Sequence, residues 1–415
     1  MSIFSKKKEK KKEEGSEVEK NFLAIDIGTE LLKVLLFETS ELGVKVKKVS
    51  RIHQQEKAMK KGVIKNLNTV VENCKLAIND ITSEMEEPPK KAVVGLAGES
   101  IQGVSIVVNY ERDEKFEEEV TDEEERKIIQ KVHEQIEETG KEDLAQRTGL
   151  LYEDIDILHI TVTGMEIGGM PVNSLVGFRG KDVKLFFYAS FAPKTYIESL
   201  KTLTKNLNLS TEGIVSQPFA VARAFSGAKD KNFSGIFVDI GGGTTDVAIV
   251  QKGNVVDTQI FSFGGRVFTK EIARAMNLDY RHAELRKLKY SSGELEKPLE
   301  RGVKEVTYST AKLWLKAFKA SLEMVEDIES FPPQIYLCGG GSMLPDIKNV
   351  LLEYPWTKVL PFPKTPRANI FLPQKLEDVT DLSGDLVNPY DITPAALALF
   401  GYDKMSKPEQ HYTNP

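Results

Sequence analysis

Short blocks of consecutive apolar residues recur along the chain and end abruptly in Asp or Gly. FLAIDIG begins at Phe22, and LLKVLLFE resumes the apolar run at Leu31. Two strand-length blocks around a glycine turn predict an antiparallel hairpin. GIFVDIGGGTTDVAIVQKGNVV, from Gly235, repeats that design. KKAVVGLAG (90–98) and QIYLCGGG (334–341) each read as a buried strand running into a glycine turn. Helical spacing appears elsewhere. Leu67, Val70, Val71, Cys74, Leu76, Ala77 and Ile81 follow the 3.6-residue period. Thr121 with Glu124 makes a capping box, which predicts a helix from Asp122 that carries Ile128, Ile129, Val132 and Ile136 on one face. Strands are expected at 156–163 and 184–191, with glycine turns at Gly168 and Gly169 between them. Helices are expected at 193–208, 216–225 and 392–400, and through most of 267–330. A proline-spaced, loop-rich stretch joins 361 to 389.

A chain of 415 residues exceeds one ordinary core, so two or more domains are expected. Its net charge of −6 speaks against nucleic acid as the main partner. The cysteines, Cys74 and Cys338, lie too far apart in sequence to suggest a disulfide framework, which fits a reducing compartment. The apolar runs fall well short of the roughly 20 residues of a membrane helix, and the N-terminus lacks the apolar region of a secretory signal. Residues 1–20 are charged and of low complexity, which predicts a disordered tail. Ile3 and Phe4 beside Lys6, Lys7, Lys8, Lys10, Lys11 and Lys12 could also rest on anionic lipid. The five histidines have no ligand spacing, and the acidic run 117–125 reads as a solvated helix start.

The repeated hairpin carries the chemistry. In each copy an Asp ends a buried strand and a Gly follows: Asp26 before Gly28, and Asp239 before Gly241, Gly242 and Gly243. Glycine lets backbone N–H groups approach phosphate oxygens closely. Thr29, Thr244 and Thr245 can add hydroxyl donors. Two carboxylates would repel phosphate unless a cation lay between them, and the water shell of Mg²⁺ suits such a pair. Lys33, seven positions after Asp26, can place a point charge on the phosphates. Gly339, Gly340, Gly341 and Ser342 in CGGGSMLPDI let a flat base and ribose lie against backbone. One such turn is common in hairpins; two matched copies are far more specific.

These motifs resemble those of the actin/Hsp70/sugar-kinase superfamily. DIGTELLK is similar to its first phosphate motif, DIGGGTTD to its second and CGGGSMLPDI to its adenosine motif. SQPFAVARAF (216–225) and ITPAALALF (392–400) resemble its two connecting helices. Within the superfamily, AMKKGVIKNLNTVVENCKLAI (58–78), VVGLAGESIQG (93–103), 157–190 and 261–293 resemble the FtsA family; 157–190 is similar to its inserted 1C or SHS2 domain. The PilM family has a related layout. The resemblance implies a two-lobed α/β, actin/Hsp70-like (ribonuclease H-like) fold. It implies a lysine-rich tail at 1–20, a first lobe at 21–101 and 188–234, and an inserted α+β subdomain at 102–187 on that lobe. A second lobe at 235–390, a connecting helix at 391–403 and a polar tail at 404–415 follow. It also implies ATP and Mg²⁺ as cofactors, with Glu284 and Lys287 near ribose and adenine. Gln217 stands where many relatives have Glu; its amide would orient water without acting as a base, which implies slow hydrolysis. Arg266 after the glycine pair is given no role. FtsA relatives end in an amphipathic membrane helix, whereas GYDKMSKPEQHYTNP presents no apolar face.

The functions this implies are a nucleotide-dependent scaffold that self-associates and recruits a tubulin-like division protein, or a PilM-like scaffold that takes a peptide from a pilus membrane protein. A small-molecule kinase is a third reading, opposed by the insertion and by the lack of a clear catalytic Asp in a substrate pocket. The expected place is the cytoplasmic face of the cell membrane, with peripheral contact to anionic lipid and no nucleic-acid partner.

Overall fold

The computed structural model describes residues 21–113, 116–225, 232–325, 328–353, 355–406 and 411–413. The expected tail at 1–20 lies outside them. Strands β1 (Asn21–Ile27) and β2 (Leu31–Ser40) form the first hairpin, in a register that sets Asp26 opposite Lys33. Their runs are apolar without alternation because both faces are covered. Strand β3 (Gly43–His53) extends the sheet. Its lysines keep it from reading as an apolar run, so sequence reasoning left it out. A small ribbon, β4 (Met59–Lys60) with β5 (Val63–Ile64), turns at Lys61 and Gly62, both with positive φ. Helix α1 (Leu67–Thr82), capped by the Asn66 side chain, packs the expected Val70, Val71, Cys74, Ala77 and Ile81 into the core. Strand β6 (Lys91–Leu96) runs parallel to β1.

The insertion consists of β7 (Gln102–Glu111), α2 (Asp122–Thr148), β8 (Ile155–Ile167), β9 (Met170–Val172) and β10 (Asp182–Pro193). Thr121 accepts from the Glu124 N–H as expected. The Glu124 carboxylate, however, takes a two-point contact from buried Arg112 at 2.7 and 3.0 Å. Within the acidic run, Glu125 is buried and accepts from the Leu175 and Val176 N–H groups, so it fastens a loop. Ile128, Ile129, Val132 and Ile136 meet the module's sheet in a separate core. On α2, burial lowers the His133 pKa from 6.5 to about 4. Its neutral form therefore contributes stability that is present above the unfolded value and is lost as pH falls through the folded one. Between pH 7 and 4 unfolding stability should drop by on the order of 3 kcal/mol from this residue. Urea titrations of wild type and His133→Phe across that range test this, and equal pH slopes in the two proteins would contradict it.

Helix α3 (Lys194–Asn206) leads to β11 (Ser210–Ser216), parallel to β6, and then to α4 (Gln217–Phe225). The second hairpin is β12 (Gly235–Ile240) with β13 (Thr245–Gln251), extended by β14 (Asn254–Phe261). Helices α5 (Gly265–Met276), α6 (Tyr280–Ser291) and α7 (Lys297–Glu323) follow. Trp314 and Phe318 of α7 stack at 5.4 Å within the second-lobe core. Strand β15 (Gln334–Cys338) is parallel to β12; α8 (Pro345–Glu353) and β16 (Arg367–Ile370) complete the layer.

Three connections cross the expected boundaries. Strand β7 pairs with β14 at Gly103–Thr258 and Val104–Asp257, so the insertion's sheet continues that of the second lobe. Gly103 makes this approach possible, since a Cβ there would overlap the Tyr188 hydroxyl, which bonds Thr258 at 2.6 Å. Strand β17 (Val379–Asp381) joins β3, so the chain re-enters the first sheet before residue 391. Helix α9 (Ile392–Ser406) runs past 403, and β18 (His411–Thr413), within the expected polar tail, pairs with β8.

Candidate nucleotide site

Both hairpins aim their turns into one cleft between the lobes, where a cavity of about 340 Å³ opens. That is the size range of small-molecule sites. Asp26, Gly28, Thr29, Lys33, Gln217, Asp239, Gly241, Gly242, Thr244, Glu284, Lys287, Gly339, Gly340 and Gly341 line it. Most residues singled out in the sequence therefore converge on one place. Three do not line it. Thr245 turns into the second-lobe core, where its hydroxyl donates to Phe263 O at 2.5 Å and accepts from the Trp314 indole at 3.0 Å. Strand alternation sends it to the opposite face from Thr244. Gly243 packs against Thr29 and borders a second cavity. Ser342 donates to Gly339 O at 2.7 Å and so holds the third glycine turn.

The polar centre is charged and buried. Lys33 Nζ lies 2.6 Å from Asp26 and donates to Tyr390 O at 2.8 Å. Burial alone would lower the Lys33 pKa, but Asp26 and Asp239 outweigh it and hold it above its ordinary value. Gln217 Nε2 donates to Asp26 at 2.8 Å. In the mirrored position, the Thr393 hydroxyl donates to Asp239. The first residue of α4 and the second of α9 thus each hold one of the two strand-end carboxylates. Burial raises the Asp239 pKa, and Lys33 moderates the shift. Gly339, at φ +77°, is required beside it, because a Cβ would collide with the Asp239 carboxylate.

Sequence reasoning missed Asp246. It faces Asp239 across β12 and β13, is 4% exposed, and its Oδ1 has no hydrogen-bond partner among the described residues. Burial, reinforced by the charge of Asp239, pushes its carboxyl well above the usual range. The signal was present: Asp246 follows Asp239 by the same seven positions that separate Lys33 from Asp26. At the other end of the cavity Glu284 pairs with Lys287 at 2.8 Å, and both contact the Thr269 hydroxyl. Leu288 and Met343 add apolar walls, while Ser291 and Ser292 add hydroxyls. His53, read as a surface or core histidine, also borders the cavity.

Three carboxyl groups gathered around one ammonium, two of them with raised pKa values, make a site that the charge of a divalent cation would suit. No group of three ligand-type side chains among the described residues is placed to hold a metal directly. Contact through a water shell is the arrangement this suits.

The sequence model described as "Cell division protein FtsA" matches residues 236–381. The cell division protein FtsA of Enterococcus hirae is 24% identical over 356 residues, covering 80% of this chain and 76% of that protein. FtsA of Bacillus subtilis is 24% identical over 288 residues, covering 69% of this chain and 61% of its own. Among solved structures, the PilM-PilN type IV pilus biogenesis complex aligns with a TM-score of 0.66 at 16% identity, covering 93% of this chain and 99% of that one. At that identity the likeness is one of fold. The chain is thus similar in sequence to FtsA over most of its length and shares the two-lobed fold of PilM.

Proposed function

We propose that the chain is a nucleotide-dependent scaffold of cell division that binds ATP with magnesium in the cleft and recruits the division machinery to the membrane. The observation that carries this reading is the mirrored pair of hairpins, which brings Asp26 and Asp239 to opposite sides of one cavity in a chain similar to FtsA over most of its length. Asp26 and Asp239, with Asp246 near them, would face the water shell of the cation, which would neutralise charge on the β- and γ-phosphates. The glycine turns after Asp26 and Asp239 would present N–H groups to phosphate. Lys33 would add a positive charge there. Leu288, Met343 and the turn at Gly339, Gly340 and Gly341 would hold the base, with Glu284 and Lys287 toward the ribose. The insertion at 102–187, lying against both lobes, would be the unit through which copies or partners attach.

Hydrolysis should be slow, because positioning dominates phosphoryl transfer, Gln217 can orient water without removing its proton, and burial favours the protonated form of Asp246. Purified protein is expected to bind ATP in calorimetry only weakly without Mg²⁺, and to release phosphate faster as its concentration and self-association rise. Fast hydrolysis independent of concentration would count against a scaffold.

The likeness to PilM supports a second reading, a pilus or secretion scaffold that binds a membrane partner's peptide. Co-sedimentation with a tubulin-like division polymer, set against capture of the full chain on such a peptide, separates the two. No described helix is long and apolar enough to cross a membrane. Recruitment through Ile3, Phe4 and the lysines from Lys6 to Lys12 should require anionic lipid and weaken as salt rises. Liposome sedimentation of the full chain and of a chain beginning at Val18 tests it; equal binding by both would assign recruitment to a partner.

A further inference from the structure

Arg266 is the second residue of α5, and its backbone belongs to the second phosphate turn. The N–H of Gly265 donates to Gly241 O and that of Arg266 to Gly242 O, both at 2.8 Å. Its side chain, 13% exposed, crosses the cleft to the first lobe. Nε donates to the Glu30 carboxylate at 2.6 Å and Nη2 to Thr29 O at 2.9 Å. Nη1 donates to Met59 O at 3.1 Å and to Glu56 O at 3.3 Å. One guanidinium therefore ties the second phosphate turn to the first and to the segment entering β4. The turns also interlock: a Cβ on Gly242 would strike Glu30, and one on Gly243 would strike Thr29.

The phosphate chemistry of the cleft does not require an arginine at this position. The guanidinium is spent on protein acceptors, four in number, all on the opposite lobe. Only a planar fork of several N–H groups can serve acceptors spread over three backbone carbonyls and a carboxylate; a lysine cannot. Besides this contact the two lobes are joined through the connecting helices α4 and α9, about which they can rotate, and through the pairing of β7 with β14. A partly buried, multiply bonded ion pair across the mouth of such a hinge opposes opening.

We propose that Arg266 is an inter-lobe clasp, a positioning residue that holds the phosphate turns together and sets the rate at which bound nucleotide leaves. Its second half rests on the ATP-binding reading above; its first does not. The full chain is compared with Arg266→Ala, Glu30→Gln and the double variant by two measurements. The first is amide hydrogen exchange across 56–62 and 28–31 without nucleotide. The second is the dissociation rate of a fluorescent ATP analogue with Mg²⁺, chased by excess ATP.

Arg266→Ala should speed exchange in both segments and raise the dissociation rate by about tenfold or more, as expected for loss of charge-assisted hydrogen bonds. Glu30→Gln leaves the three carbonyl contacts and should move both readouts the same way by less. The double variant should be no faster than Arg266→Ala, because both changes remove one interaction. Unchanged exchange in Arg266→Ala and Glu30→Gln overturns the clasp whether or not the protein binds nucleotide. Faster exchange with an unchanged dissociation rate overturns its control over the nucleotide. If Arg266→Ala fails to fold, Glu30→Gln carries both readings.

Discussion

Replacing Asp239 by Asn is expected to remove the magnesium-dependent part of ATP affinity while leaving the fold intact. Asn has the same shape, and its carbonyl oxygen can still accept from Thr393, so the local packing with α9 survives. What it loses is the charge that would face the cation's water shell. Outer-shell partners of a metal typically change its affinity by about 10- to 100-fold, which sets the expected drop. The apo protein should respond in the opposite sense. Burial raises the Asp239 pKa in the folded state, so its contribution to stability is greatest below the unfolded value and is lost as pH rises through the folded one. At pH 8 more of the wild-type carboxyl is thus ionised than at pH 5, at the expense of stability. Asp239→Asn should melt no lower than wild type there, and the difference should shrink toward pH 5. A site built for a ligand commonly gives up stability in this way. Calorimetry with Mg²⁺ or with a chelator, beside thermal melts at both pH values, checks the pair of effects. Unchanged magnesium-dependent affinity would remove Asp239 from the site.

The sequence legibly encodes the parts of the fold that are buried on both faces. The hairpins at Asp26 and Asp239, the strand before Gly339 and the amphipathic α1 and α2 all announce themselves by runs or by period, because burial leaves few polar residues within them. Strands with an open face do not. In β3 the lysines sit among the valines, and β14 carries Asp257 and Gln259. β17 is three residues long and depends on β3 for its existence. The junction of the insertion with β14 follows from Gly103 meeting Tyr188 and Thr258, a contact between residues remote in sequence that no local pattern records. At the site, the motif glycines and the two aspartates were legible because a repeat marked them. Thr245 was placed there by its motif although strand alternation sends it into the core. Arg266 was given no role because its partners Thr29 and Glu30 belong to the other lobe and carry no mark of pairing in the sequence. Asp246 could have been found by extending the seven-residue comparison from the first hairpin to the second.

Asp246 is also where the largest effect on turnover is expected. Its carboxyl is buried and faces Asp239, and its Oδ1 has no hydrogen-bond partner among the described residues, so an oxygen is left to meet water. Without nucleotide, burial and the neighbouring carboxylate favour its protonated form. A cation's charge beside it would favour the ionised form instead, so the group would become an acceptor when the cleft is loaded. Gln217, by contrast, donates its amide to Asp26 and has no proton affinity to offer. Asp246 should therefore position the attacking water and take its proton, with Gln217 as orienter. Losing a general base slows a reaction by about 10²- to 10⁴-fold, and Asp246→Asn should fall in that range in a single-turnover phosphate-release assay at saturating ATP. ATP affinity should fall by less than the turnover rate, since the phosphate turns, Asp26, Asp239 and Lys33 remain. The pH profile provides the test that a packing role would not pass. Wild-type turnover should decline on the acid side as the carboxyl protonates, and Asp246→Asn should lose that limb while keeping a low, flat rate. Gln217→Ala should instead lower the rate and retain the limb. If Asp246→Asn hydrolyses ATP at the wild-type rate, or keeps the acid limb, the base lies elsewhere, and the unpartnered oxygen of Asp246 serves only the fold.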